Sequence, residues 1–356
     1  MRRLPVFLMI DVSESMVGES LTQLDLALGA ITSMLQRDPY AIETAYVSVI
    51  VFAGRPRTLT PLVAIDSFRP PRLEIGGGTA LGGAMMHLMN EIDNQVKATS
   101  RESKGDWRPL VFLLTDGQPT DDVAPAAERW NDLYRSRTQL VAVSIGNGAS
   151  LEALRRFTED VVMFDDSPPD AFVRFAKWLS LSIQAQSRSV AFGSDAKVNL
   201  DKADRDVLTP APVLASSDGR PNLDERYAVL VGRCASRKLP YLIKFRAYDE
   251  HQDSTEVMDA ELARTRPYIY ESVAALQESY FELTDPVRRS ELINTALLLG
   301  QPPCPHCEVP YTMARCGDCG GILCVSGVGQ RVCPWCESVG YYELSDEEFD
   351  VTRGEG

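Results

Sequence analysis

The chain has 356 residues, 44% of them hydrophobic, with 36 Lys and Arg against 50 Asp and Glu and a formal net charge of −14. That is enough apolar material for two or three cored domains. The acidic balance excludes a general binder of nucleic acid or anionic membrane, which needs a basic surface, and no apolar run reaches the length of a membrane span.

Met1-Arg2-Arg3 followed by Leu4 to Ile10 imitates a secretion signal, but the run is short and no small-residue cleavage site precedes Asp11. The expected location is therefore cytoplasmic. The apolar run Val6 to Ile10 predicts a strand buried on both faces, as in a parallel sheet. It ends in Asp11-Val12-Ser13-Glu14-Ser15. One carboxylate and two hydroxyls at alternate positions then sit at the carboxyl end of the strand, where open α/β sheets place ligands. Such a hard, oxygen-only set suits Mg²⁺ better than zinc or copper.

Leu21, Leu24, Leu28, Ile31 and Leu35 follow at helical spacing, and Arg37-Asp38-Pro39 closes that helix. Ala45 to Phe52 predicts a second strand, and Thr58 to Val63 a short antiparallel one after the turn Gly54-Arg55-Pro56. Gly76-Gly77-Gly78-Thr79 delivers a hydroxyl at the start of a helix carrying Leu81, Met85, Leu88, Met89 and Ile92. No Gly-Lys-Ser/Thr follows, so this is not a phosphate loop; the glycines let the backbone turn tightly and present Thr79. The methionines are read as helix core, and Asp121-Asp122 as caps just ahead of the next helix. Lys97 to Asp106 reads as a loop, and Leu110 to Thr115 as a buried strand ending at Asp116. Helices near 123–135, 151–157 and 169–183 alternate with strands at 140–145 and 161–164. This alternation predicts an α/β domain over residues 1–186 with a doubly wound, mainly parallel sheet.

Asp11-x-Ser13-x-Ser15, then Thr79, then a strand-end Thr115-Asp116-Gly117, resembles the metal-ion-dependent adhesion site of the von Willebrand factor type A family. The resemblance implies Mg²⁺ (or Mn²⁺ or Ca²⁺) held by Asp11, Ser13, Ser15, Thr79 and Asp116. It implies hydroxyls bound directly, aspartates partly through water, and a sixth ligand from a partner's Asp or Glu.

Residues 187–300 are expected to form a small β-rich or α+β module, with strands near 227–231, 241–248 and 268–273. Ser187 to Ser194 and Ser216 to Arg220 read as linkers, and Asp285-Pro286 as the start of a helix reaching about Leu299. The first 233 residues hold no Cys, and seven of the eight fall between Cys304 and Cys336. Cys304-x-x-Cys307, Cys316-x-x-Cys319, Cys324 and Cys333-x-x-Cys336 have zinc-ribbon spacing, which predicts a structural domain over 301–345 with one or two Zn²⁺. Cys316, Cys319, Cys333 and Cys336 make one complete set. Cys304, Cys307 and Cys324 lack a fourth ligand, for which His306, Cys234 and His251 are the candidates; Cys324 also reads as a core cysteine. Residues 346–356 are expected to be an acidic, disordered tail.

A type A domain ahead of Cys-Gly-x-Cys-Gly and Cys-Pro-Trp-Cys elements resembles the tellurium-resistance TerY family of bacteria. That resemblance implies a cytoplasmic, non-enzymatic adaptor in a stress response, linked to a serine/threonine kinase and a metal-dependent protein phosphatase. The alternative is a Mg²⁺-dependent phosphohydrolase. Such chemistry wants an acid/base partner beside Asp11, and position 13 is Ser, while His87, His251 and His306 are the only histidines.

Overall fold

A computed structural model describes residues 2–100, 104–146, 148–192, 206–211, 226–248, 266–285, 291–343 and 348–354. The chain divides into two compact units, one formed by residues 1–73 and 79–222, the other by 74–78 and 223–356.

The first unit is built on a seven-stranded sheet. Its strands are β1 (Leu4–Asp11), β2 (Ala45–Phe52), β3 (Pro56–Ala64), β4 (Leu110–Thr115), β5 (Gln139–Ile145), β6 (Val161–Phe164) and β7 (Leu208–Pro210). The order is β3-β2-β1-β4-β5-β6-β7, parallel except for β3 and β7 at the edges. Every residue of β1, β4 and β5 is buried, because helices cover both faces of a parallel sheet. α1 (Glu19–Leu35) and α2 (Pro39–Thr44) pack with α6 (Ala171–Ala191), and α3 (Leu81–Gln95) packs with α4 (Ala124–Leu133). The one further helix described here, α5 (Leu151–Arg155), precedes β6. Met85 and Met89 are buried in the core, as their helical spacing predicts.

Two boundaries differ from the sequence reading. Asp38 caps α2, accepting from the Tyr40 and Ala41 amides with Pro39 in the first turn, so Asp38-Pro39 opens a helix as well as ending one. α6 runs on to Ala191, through the stretch that reads as a linker from Ser187. Its buried stripe continues through Ile183, Ser187 and Val190, so packing overrides the polar composition.

The second unit contains a six-stranded sheet, ordered β12-β10-β9-β8-β14-β13. Its strands are β8 (Tyr227–Arg233), β9 (Pro240–Ala247), β10 (Tyr268–Ala275), β12 (Leu298–Leu299), β13 (Tyr311–Arg315) and β14 (Ile322–Val325). β8 pairs in parallel with β14, so the middle segment and the cysteine-rich segment share one sheet instead of dividing at 300/301. A short helix α7 (Ser279–Leu283) follows β10, and β15 (Gly329–Val332) and β16 (Val339–Tyr342) form a hairpin.

The helix expected from Asp285 to Leu299 is not what the described residues 291–299 form. They make β11 (Glu291–Asn294), a 3-10 turn and β12. β11 pairs with β17 (Asp350–Arg353), so the last residues described are a strand and not a disordered tail. Val351 is buried there, which supplies the apolar anchor that the acidic composition hides. The Ser216–Arg220 linker, His251 and residues 344–347 lie outside the described residues.

Candidate metal centres

Strand order reverses between β1 and β4, and a doubly wound sheet opens its ligand crevice at such a point. Asp11 is the last residue of β1, and Asp116 follows the last residue of β4. A 3-10 turn, Glu14–Met16, follows Ser13 and bends the chain so that the Ser13 and Ser15 hydroxyls face each other at 2.9 Å. The Ser13 amide donates to Asp11 Oδ1 at 2.9 Å, the Thr115 hydroxyl to Asp11 Oδ2 at 2.5 Å, and the Ser15 hydroxyl to Asp116 Oδ1 at 2.7 Å. Glycine at 117 leaves room for a close approach. A Cβ there would stand 2.9 Å from Thr79 Oγ1 and 3.6 Å from Asp11 Oδ2. All five oxygen-bearing residues predicted from the sequence therefore converge at one crevice. Asp11, Ser13, Ser15 and Thr79 are buried, and Asp116 is half-buried.

The electrostatics of this cluster ask for a cation. Burial, reinforced by the nearby charge of Asp116, pushes the Asp11 carboxyl up to about 7, against the pull of its hydrogen bonds from Thr115 and Ser13. Thr79 Oγ1 is buried with no hydrogen-bond partner among the described residues. An orphaned buried hydroxyl beside two crowded carboxylates fits a small divalent ion with oxygen ligands. Of the described histidines, His87 bonds Thr58 Oγ1 and His306 bonds the Pro240 carbonyl.

Eight cysteines form two clusters in the second unit. Cys234, Cys304, Cys307 and Cys324 make one and Cys316, Cys319, Cys333 and Cys336 the other, with the four sulfurs of each within 4.8 Å of one another. The Cys307–Cys324, Cys316–Cys336 and Cys319–Cys333 sulfurs are 3.7, 3.8 and 3.7 Å apart. Four thiolates about 2.3 Å from a tetrahedral zinc lie about 3.8 Å from each other, so these spacings already match a closed Zn site. Protonation is uneven in both sets. Burial pushes Cys304 up to about 11 and Cys319 up to about 12. At Cys316 burial also raises the pKa, but the Cys319 amide, the Ser338 hydroxyl and the Asp318 amide outweigh it and hold the thiol near 6.

The fourth thiol of the first cluster is that of Cys234, which the sequence offers only as a remote candidate. His306 turns away to Pro240. One backbone turn recurs four times, starting at Cys234, Cys304, Cys316 and Cys333. In each, the Cys amide bonds the carbonyl five residues on, and its carbonyl accepts from the amide four residues on. That fourth position has positive φ each time, at Lys238, Glu308, Gly320 and Glu337. Three of these turns carry a second Cys at the third position; the first carries Arg237 there. Cys324 supplies the missing thiol, because the β8/β14 register Ile322↔Gly232 and Leu323↔Arg233 places Cys324 beside Cys234. The signal available in sequence is a half-motif, Cys-x-x-Arg between two strands.

Comparison with known proteins agrees with both halves. The family model for the von Willebrand factor type A domain matches residues 6–182, and that for the TerY-C metal binding domain matches residues 224–356. The chain thus carries a von Willebrand factor type A domain followed by a TerY-C metal binding domain. The human inter-alpha-trypsin inhibitor heavy chain H6 is 25% identical over 159 residues, 43% of this chain, which spans only 12% of that relative's length. Among solved structures, proximal thread matrix protein 1 from the mussel byssus, with a zinc-occupied MIDAS motif, is 20% identical. It covers 52% of this chain and 46% of its own at a TM-score of 0.37. A von Willebrand factor type A protein from Catenulispora acidiphila is 18% identical, covering 53% of this chain and 43% of its own at a TM-score of 0.40. No helix among the described residues is long and apolar enough to cross a membrane.

Proposed function

We propose that this protein is a metal-dependent adaptor. Asp11, Ser13, Ser15, Thr79 and Asp116 hold Mg²⁺ and leave a coordination position for an Asp or Glu of a protein partner. The observation that carries the reading is the buried, unpartnered Thr79 hydroxyl at Gly117, with the Asp11 carboxylate on the same side of that glycine. Mg²⁺ wants six near-octahedral oxygens and keeps water where the protein supplies too few. A partner carboxylate replacing that water meets the cation in a partly desolvated crevice, where attraction is far less screened than in bulk water. Because the chain carries a net charge of −14, it would otherwise repel such a partner.

The two cysteine clusters are proposed as closed, structural Zn²⁺ sites that stabilise the second unit. We further propose a cytoplasmic stress-response role beside a serine/threonine kinase and a metal-dependent protein phosphatase, which rests on the resemblance to the TerY family; the TerY-C match itself speaks to metal binding. The adaptor reading assigns no reaction to the site. The test is affinity capture from native lysate, using zinc-loaded protein in Mg²⁺. Wild type should retain a partner that Asp11→Ala does not. A partner held equally by both would contradict the metal bridge.

A further inference from the structure

The loop ahead of Thr79 is buried and held at the Gly77 amide by Thr284 Oγ1, but nothing in it bonds the Thr79 hydroxyl. Three glycines precede it, and Gly78 has φ of +85°. Glycine runs lose more conformational freedom on ordering than any other sequence, so they aim a ligand weakly. A grip comes instead from the segment after Asp116. The Thr79 amide donates to Thr120 Oγ1 at 3.0 Å, and the Thr120 amide donates back to the Thr79 carbonyl at 2.9 Å. The next residue takes hold of the helix that Thr79 leads into. Ala80, at the cap position of α3, has no side-chain cap to offer. The Asp121 carboxylate takes that role, accepting from the Gly82 amide at 3.0 Å and the Gly83 amide at 2.7 Å. These are two of the amides that a helix start leaves without partners. The fit is close: a Cβ at Gly82 would lie 2.6 Å from the Asp122 carbonyl oxygen.

We infer that Thr120 and Asp121 are positioning residues of the Mg²⁺ site. They clamp Thr79 to the same short loop that carries Asp116, so the hydroxyl and the carboxylate reach the cation as one rigid pair. The inference rests on the metal reading given above. Mg²⁺ tolerates little error in ligand placement, and residues that orient metal ligands typically change affinity by about 10- to 100-fold when removed.

The test measures Mn²⁺ affinity of the zinc-loaded full chain by titration calorimetry. Thr120→Val keeps the side-chain shape and deletes the acceptor. It should weaken Mn²⁺ binding by about tenfold, as should Asp121→Asn, while Thr120→Ser restores most of the affinity. Asp122→Ala is the structural control. Asp122 accepts from the Ala124 amide at the start of α4, so its loss should lower the melting temperature without moving Mn²⁺ affinity. Wild-type affinity in Thr120→Val and Asp121→Asn, with binding lost in Thr79→Ala, would overturn the inference and leave the metal site standing. A wild-type chain that binds no Mn²⁺ would instead overturn the metal reading, and the inference with it.

Discussion

The Ser15 hydroxyl donates to Asp116 Oδ1 at 2.7 Å, joining the turn after β1 to the end of β4. Ser15 in turn stands 2.9 Å from the Ser13 hydroxyl, and the Ser13 amide holds Asp11. Without a cation, these contacts share out the negative charge of two carboxylates; with one, they become its coordination shell. Asp116→Asn should therefore separate stability from binding. It relieves the charge that raises the Asp11 carboxyl and keeps an oxygen for Ser15, so the metal-free melting temperature at pH 8 should hold or rise while Mn²⁺ binding is lost. A fall in melting temperature together with intact Mn²⁺ binding would contradict this.

Proton linkage gives a second expectation. The Asp11 carboxyl sits at about 7 in the folded, metal-free protein, above its ordinary value near 3.9 when unfolded. Its contribution to stability is complete below about pH 4 and is lost as pH rises through about 7. The cation must expel that proton, so Mn²⁺ affinity should fall about tenfold per pH unit below 7 and level off above it. Calorimetry at pH 5.5, 6.5 and 7.5 reads this slope directly, and a flat profile would count against it.

Zinc content follows from Cys234. Protein purified without added metal should carry two Zn²⁺ per chain, and Cys234→Ser or Cys336→Ser one. Their consequences should differ. Cys234 lies in the core around β8, β9 and β14, whereas Cys336 is exposed beside the β15–β16 hairpin. Limited proteolysis should therefore open much of the second unit in Cys234→Ser but only the hairpin region in Cys336→Ser. Residues 6–182 should stay folded in both.

Gly117→Ala is a small change with a specific target. Its methyl would stand 2.9 Å from Thr79 Oγ1, inside normal contact, so the hydroxyl must shift. Mn²⁺ affinity should drop by about tenfold or more, and circular dichroism should report an unchanged fold.

The convergence of the oxygen-bearing side chains was legible because these residues end or open runs of strong local pattern. Asp11 and Asp116 close buried strands, and Thr79 opens a helix with an apolar stripe. What escaped was set by pairing across long stretches of chain. Cys234 joins a thiol cluster only because β8 pairs with β14, and the acidic last residues become β17 only because β11 offers an edge. Asp121 looked like the cap of the helix it precedes, α4; it caps α3, and Asp122 bonds into α4 instead. Local sequence ranks both as caps but cannot say of which helix.

The most direct measurement is water-proton relaxation of the zinc-loaded chain titrated with Mn²⁺, followed by a peptide carrying one Glu. The account predicts one Mn²⁺ per chain that keeps exchangeable water, no such site in Asp11→Ala, and loss of relaxation enhancement as the Glu carboxylate displaces that water. A bound Mn²⁺ that persists in Asp11→Ala, or one whose water no carboxylate displaces, would contradict it.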